Sequence, residues 1–242
     1  MRRLVHLLPI AALWASQVSL AQEAITLHYY ERPPYTVAQG DGSATGLTAD
    51  VAAKVLTRAG IPFTWSLMPA KRQLAIIEHN TGRDCGIGWF RNPQREAFGT
   101  FSHPIYRDRP PVAIVRDGFE PQADSLAQLL QRPGVRVLVK EGLTYGGYIN
   151  DLLKTAKAHV SPVTVEQPQL VRMIAAGRAD IMFAPREEAD VLVTRHESGP
   201  YSVHIVGFAD VPAGDQRYLY CSKQVDSATM AKLNAAIDFI AP

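Results

Sequence analysis

The chain has 242 residues, 47% hydrophobic and 20% charged, an ordinary globular composition that argues against a disordered or low-complexity protein. Its formal net charge is only +2, and no basic block or aromatic-interleaved stripe is present, which argues against nucleic acid as a partner. There is no Cys-x-x-Cys or His-x-x-x-His spacing and the seven histidines are scattered, so neither a metal nor another cofactor is expected.

Residues 1–21 carry Arg2 and Arg3, then an apolar run, then Ser19-Leu20-Ala21, the three parts of a cleavable signal peptide. Its removal takes two of the 25 basic residues and none of the 23 acidic ones, so the mature chain is balanced in charge. Residues 25–30 are rich in β-formers and predict a first strand ended by Arg32-Pro33-Pro34. That strand brings Glu31 and Tyr35 to its carboxyl end, where ligands of open α/β sheets sit. After the Asp41-Gly42 turn, Leu47, Val51, Val55 and Leu56 recur at helical spacing up to Gly60. Residues 63–67 predict a second strand, and Pro69 opens a helix that carries Arg72. Residues 85–90 predict a third strand, and this alternation builds a parallel sheet.

The third strand ends on Trp89 and Phe90 and is stopped by Asn92-Pro93. Asn92 is placed to cap a helical turn, Pro93 suits its first position, and Arg95 sits beside the freed N–H groups, which together suit an anion. Charges and prolines over 106–111 precede a β-rich run at 112–115, where the chain is expected to cross into a second lobe. There a helix at 126–130 and a strand at 135–139 lead into Lys140-Glu141-Gly142-Leu143-Thr144-Tyr145-Gly146-Gly147 and a helix at 148–158. This loop offers backbone N–H groups and the Thr144 hydroxyl, but it lacks the Gly-Lys-Ser/Thr ending of a nucleotide-binding loop. A glycine turn that serves only helix packing is the alternative at this point.

A strand at 163–165, a helix at 169–176 and a strand at 179–183 follow, the last opening on Ala184-Pro185-Arg186-Glu187-Glu188. After Gly199-Pro200 come a strand at 203–208, a return crossing at 211–215, a strand at 218–221 and an amphipathic terminal helix at 230–240. The expected organisation is a signal peptide at 1–21, the first part of lobe one at 22–108, lobe two at 109–213, and a return segment of lobe one at 214–242.

Several pieces occur together in a particular order: Pro33-Pro34-Tyr35, Gly46-Leu47-Thr48-Ala49-Asp50-Val51, Pro93-x-Arg95-Glu96, Phe101-Ser102-x-Pro104-x-Tyr106, residues 126–142, and Ala175-Ala176-Gly177-Arg178-Ala179-Asp180. Their order and spacing over nearly the whole mature chain resemble the family 3 extracytoplasmic solute-binding proteins, the amino-acid-type receptors of ABC importers. The resemblance implies an α/β fold of the two-lobed periplasmic-binding-protein type (type II), each lobe a mostly parallel sheet flanked by helices, with two crossover segments. It implies a monomeric periplasmic protein that captures a small carboxylate-bearing solute and has an ABC permease as partner. The ligand set it suggests is Glu31, Tyr35, Arg72, Trp89, Phe90, Arg95, Leu143, Thr144, Tyr145 and Glu187, with Arg95 and Thr144 on the carboxylate.

The chain departs from the family at one position. The aspartate that usually holds a ligand ammonium, five residues after Asp180, is Pro185 here, and the nearest acids are Glu187 and Glu188, with Glu31 across the cleft. Arg72 would favour a more acidic solute. No Ser-His-Asp set is visible, and a non-enzyme is expected. Two other readings stay open: a sensing module without a transporter, and a dehydratase-like enzyme, as in the periplasmic cyclohexadienyl dehydratases of this fold class, with Glu187 as general acid beside Arg95. The resembling fold makes the strands of Cys85 and Cys221 antiparallel neighbours, which implies a disulfide; two separate buried thiols are the alternative.

Overall fold

A computed structural model describes residues 23–196 and 202–240. The expected signal peptide at 1–21 and the turn at Gly199-Pro200 lie outside the described residues. The chain starts with β1 (Ile25–Tyr29), then a small ladder of β2 (Val37–Ala38) and β3 (Ala44–Thr45), then α1 (Ala49–Arg58), β4 (Phe63–Leu67), α2 (Ala70–His79), β5 (Asp84–Trp89), α3 (Pro93–Phe98) and β6 (Gly99–Arg107). The next stretch holds β7 (Val112–Arg116), α4 (Leu126–Leu130), β8 (Arg136–Lys140), α5 (Gly147–Lys154), β9 (His159–Val163), α6 (Gln167–Ala175), β10 (Ile181–Ala184), α7 (Arg186–His196) and β11 (Val203–Val206). The chain closes with β12 (Gln216–Ser222) and α8 (Ser227–Ile240).

Two five-stranded sheets result, ordered β4-β1-β5-β12-β6 and β11-β7-β10-β8-β9. In each, one strand opposes its neighbours: β12 runs antiparallel to β5 and β6, and β7 runs antiparallel to β10 and β11. Both reversed strands come directly after a crossing between the sheets. A strand entering from the cleft must run away from it, whereas strands preceded by helices run towards it.

On the first sheet, Val55 and Leu56 of α1 and Leu233 and Ile237 of α8 pack with Ile25 and Leu27, while Ile77 of α2 sits in a separate cluster with Trp89 and Tyr220. Trp89 joins that second cluster because Gly88, at φ 74°, makes a bulge against β12 between Tyr218 and Leu219. A side chain there would have to adopt the left-handed region, which glycine enters without penalty. The disulfide between Cys85 and Cys221 is present, with the Cα atoms 4.0 Å apart, and it joins β5 to β12 in the middle of this sheet.

In the second lobe Asp180 explains the Gly177-Arg178-Ala179-Asp180 segment. Its carboxylate accepts from Arg116 Nε at 2.7 Å, Arg136 Nη2 at 2.8 Å and Arg136 N at 2.8 Å, which staples β7, β8 and β10 at their far end from the cleft. Burial alone would raise this carboxyl, and the bonds from Arg136 and Arg116 bring it below its ordinary range.

Some elements differ from the sequence reading. The strand expected at 163–165 is β9, earlier in the chain, because it pairs residue by residue with β8 from Arg136↔His159 to Lys140↔Val163. The helix expected at 148–158 ends at Lys154, since Lys157 N and Ala158 N donate to Leu130 O on the way into β9. Four elements were not anticipated: the short β2 and β3 on either side of the Asp41-Gly42 turn, β6, an edge strand interrupted by Pro104, and α7, whose first turn buries Glu187 and Glu188 beside Ala189.

Candidate ligand-binding site

The two sheets face each other across a cleft bounded by the two crossings. A cavity of about 220 Å³ lies there. Its walls include Phe90 after β5, Asp108 on the first crossing, Thr144 and Tyr145 before α5, Pro185 after β10, and Asp215 on the return crossing. Three of the expected ligand residues, Phe90, Thr144 and Tyr145, therefore meet at one cavity.

The loop before α5 is held by its own side chains. Tyr145 is buried, its hydroxyl accepts from Lys140 N at 2.7 Å, and burial pushes its phenol up. Asn150 Nδ2 donates to Thr144 Oγ1 at 2.7 Å, which leaves the Thr144 hydroxyl proton free to donate. Gly146 caps α5 at φ 87°, and a Cβ there would stand 3.5 Å from Asp215 Oδ2, so the loop closes against the return crossing. The first turn of α5 has no helical partners for its N–H groups, and they carry the positive end of the helix dipole.

Arg95 occupies a different place from the one expected of a free anion clamp. Asn92 caps α3 as anticipated, accepting from Arg95 N at 2.9 Å. The guanidinium, however, donates through Nη1 to Phe90 O at 2.6 Å and lies over the Trp89 ring at 4.7 Å. Burial pulls it below the usual arginine range. It is thus one residue behind the cavity wall. Trp89 itself is buried, with its indole N–H on Gln73 Oε1 at 3.2 Å.

Tyr35 and Glu187 come together across the lobes. Glu187 of α7 accepts from the Tyr106 hydroxyl at 2.8 Å, from Arg109 N at 2.9 Å and from the Tyr35 hydroxyl at 3.4 Å. Burial, with the neighbouring carboxylates, holds both phenols above the ordinary tyrosine range. Its neighbour Glu188 takes a two-pronged bond from Arg32, through Nε and through Nη2, and a longer one from Gln167. Burial alone would lower the Arg32 guanidinium, but the Glu188 carboxylate overrides it. Both glutamates are at most 4% exposed and link lobe two to lobe one without lining the cavity.

The remaining expected residues lie apart. Glu31 is exposed and accepts from Ala38 N at 2.8 Å, Arg72 is exposed on α2, and Leu143 packs against the second-lobe core. Sequence reasoning missed Asp108 and Asp215. Asp108 is 4% exposed and receives Arg217 Nε at 2.6 Å and Nη2 at 2.7 Å; burial pushes its carboxyl up against the pull of Arg217. The only sequence signal for this pair was that both members fall in or beside the expected crossings.

Two α/β lobes joined by two crossings around a cavity define the two-lobed solute-binding class. Solved structures share this fold. An ancestral arginine-binding protein bound to arginine matches with a TM-score of 0.68 at 18% identity, over 90% of this chain and 91% of that one. Holo ArgBP from T. maritima matches at 0.66 and 18% identity, over 90% and 89%. The ancestral amino-acid-binding protein AncCDT-1, a precursor of cyclohexadienyl dehydratase, matches at 0.66 and 16%, over 90% and 88%. A search of curated protein sequences found no match. Residues 25–240 match the bacterial extracellular solute-binding proteins, family 3, and the chain belongs to that family. No helix among the described residues is long and apolar enough to cross a membrane.

Proposed function

We propose that the protein captures a small amino acid or related carboxylate in the cavity between its lobes, in the periplasm, and delivers it to an ABC importer. The observation that carries this reading is the cavity wall formed by Thr144 and the first turn of α5, which brings a hydroxyl and the N–H end of a helix to one space. Among the described lining residues there is no Lys, Arg or His, and Asp108 is already neutralised by Arg217. Asp215, exposed at the rim, is left as the acid that can face a ligand ammonium. That balance favours a zwitterion over a dicarboxylate. Arg95 would add a second clamp on the carboxylate only by exchanging its bond to Phe90 O for the ligand.

The family and the arginine-bound neighbours support binding over catalysis. The acid considered for catalysis, Glu187, is taken up by Tyr106, Arg109 and Tyr35 and does not line the cavity. A thermal-shift screen of amino acids and dicarboxylates tests the reading. A true ligand at one hundred times its Kd stabilises the fold by about 2.7 kcal/mol, and Thr144→Val weakens it about tenfold or more by removing one charge-assisted bond. Absence of stabilisation by any carboxylate would defeat the proposal.

A further inference from the structure

Arg217 is 1% exposed, yet it lies beside the cavity, because two of its partners, Phe90 and Asp108, are cavity walls. Its guanidinium lies 3.9 Å from the centre of the Tyr35 ring and 4.4 Å from that of Phe90. Both prongs of its fork meet Asp108, and Nη1 donates to Gly88 O at 3.1 Å. Aromatic faces, a bidentate carboxylate and a carbonyl acceptor are together the full chemistry by which a protein recognises a guanidinium.

We propose that Arg217 is a built-in occupant of a guanidinium box and thereby a specificity-determining residue: it fills the space into which a long cationic side chain of a ligand would extend. The cavity left in front of it takes a solute whose side chain is short and uncharged. This rests on the reading that the cavity is the ligand site. Removing the Arg217 side chain joins box and cavity through the shared wall of Phe90 and Asp108, so that L-arginine spans both, its guanidinium in the box and its α-groups at Thr144, α5 and Asp215.

The test uses the full mature chain and its Arg217→Ala variant, with ethylguanidinium, L-arginine, D-arginine and ethylammonium as probes in thermal-shift and calorimetric titrations. Ethylguanidinium should raise the Tm of the variant and not of the native protein, and ethylammonium should do neither. L-Arginine should bind the variant at least about tenfold more tightly than ethylguanidinium or D-arginine, since both of its ends are held. Should the variant not fold by itself, recovery of folded protein on refolding with ethylguanidinium but not with ethylammonium supports the box equally. No response of the variant to ethylguanidinium, in Tm or in refolding, overturns the proposal. So does L-arginine binding no better than ethylguanidinium, or native protein that binds L-arginine as tightly as the variant. The ethylguanidinium arm stays readable even if no native ligand is found, so it separates failure of the box from failure of the proposed function.

Discussion

Two arginine–carboxylate contacts, each with a buried carboxylate, look alike in chemistry and differ in what they join. Arg217–Asp108 ties the start of β12, just past the return crossing, to the first crossing, and Asp108 N donates to Asp215 O of the return crossing at 3.1 Å. Arg32–Glu188 instead ties lobe one to lobe two. If the lobes part by rotation about the crossings, the first contact travels intact with the hinge and the second must break. Burial alone does not tell a structural pair from a latch. The elements each partner belongs to do.

Replacing Asp108 by Ala should produce the largest effect, because it leaves the Arg217 guanidinium buried without a counter-charge. A loss of about 3 to 5 kcal/mol is expected in urea denaturation. A loss near zero would mean that water or another group reaches Arg217, and the contrast between the two pairs would lose its first half. Arg32→Ala should cost less, about 1.5 to 3 kcal/mol, because Arg32 is still partly exposed and Glu188 keeps Gln167. Its distinguishing readout is shape: scattering should show a larger radius of gyration for Arg32→Ala than for the native chain, and no such expansion for Asp108→Ala at low denaturant. An unchanged radius would show that Glu188 is no latch.

Asp180 is a third kind of pair, since its partners Arg116 and Arg136 both lie within lobe two. Its folded carboxyl is held below 3.8, so its contribution is present above that pH and disappears as the pH falls through the lowered value. The urea midpoint of the native protein should therefore drop on acidification below about pH 4 by more than that of Asp180→Asn. Equal drops would assign acid sensitivity to other carboxylates.

Most of the fold was legible because its strands are β-branched runs between turn signals. Two of the exceptions share a cause. Both β6 and β9 contain a proline, and proline demotes a run in any sequence reading, yet both are sheet edges, where one side of the backbone has no ladder to break. Helix α7 was hidden for the opposite reason, since its buried first-turn residues are glutamates whose partners lie in the other lobe. At the candidate site, Phe90 and the Thr144-Tyr145 loop were readable because a strand end and a glycine-flanked turn mark them locally. Asp108 and Arg217 lie 109 residues apart, and no local pattern announces a pair of that separation.

The disulfide between Cys85 and Cys221 has a consequence for the covalent graph of the molecule. Every strand of the second sheet, from Val112 to Val206, lies between the two bridged residues. The second lobe is therefore a closed ring hanging from the middle of the first sheet, fastened covalently at its root. A protease that cuts once within that ring divides the sequence without dividing the molecule: the fragments stay a single species, with β5 and β12 covalently joined, until a reductant is added.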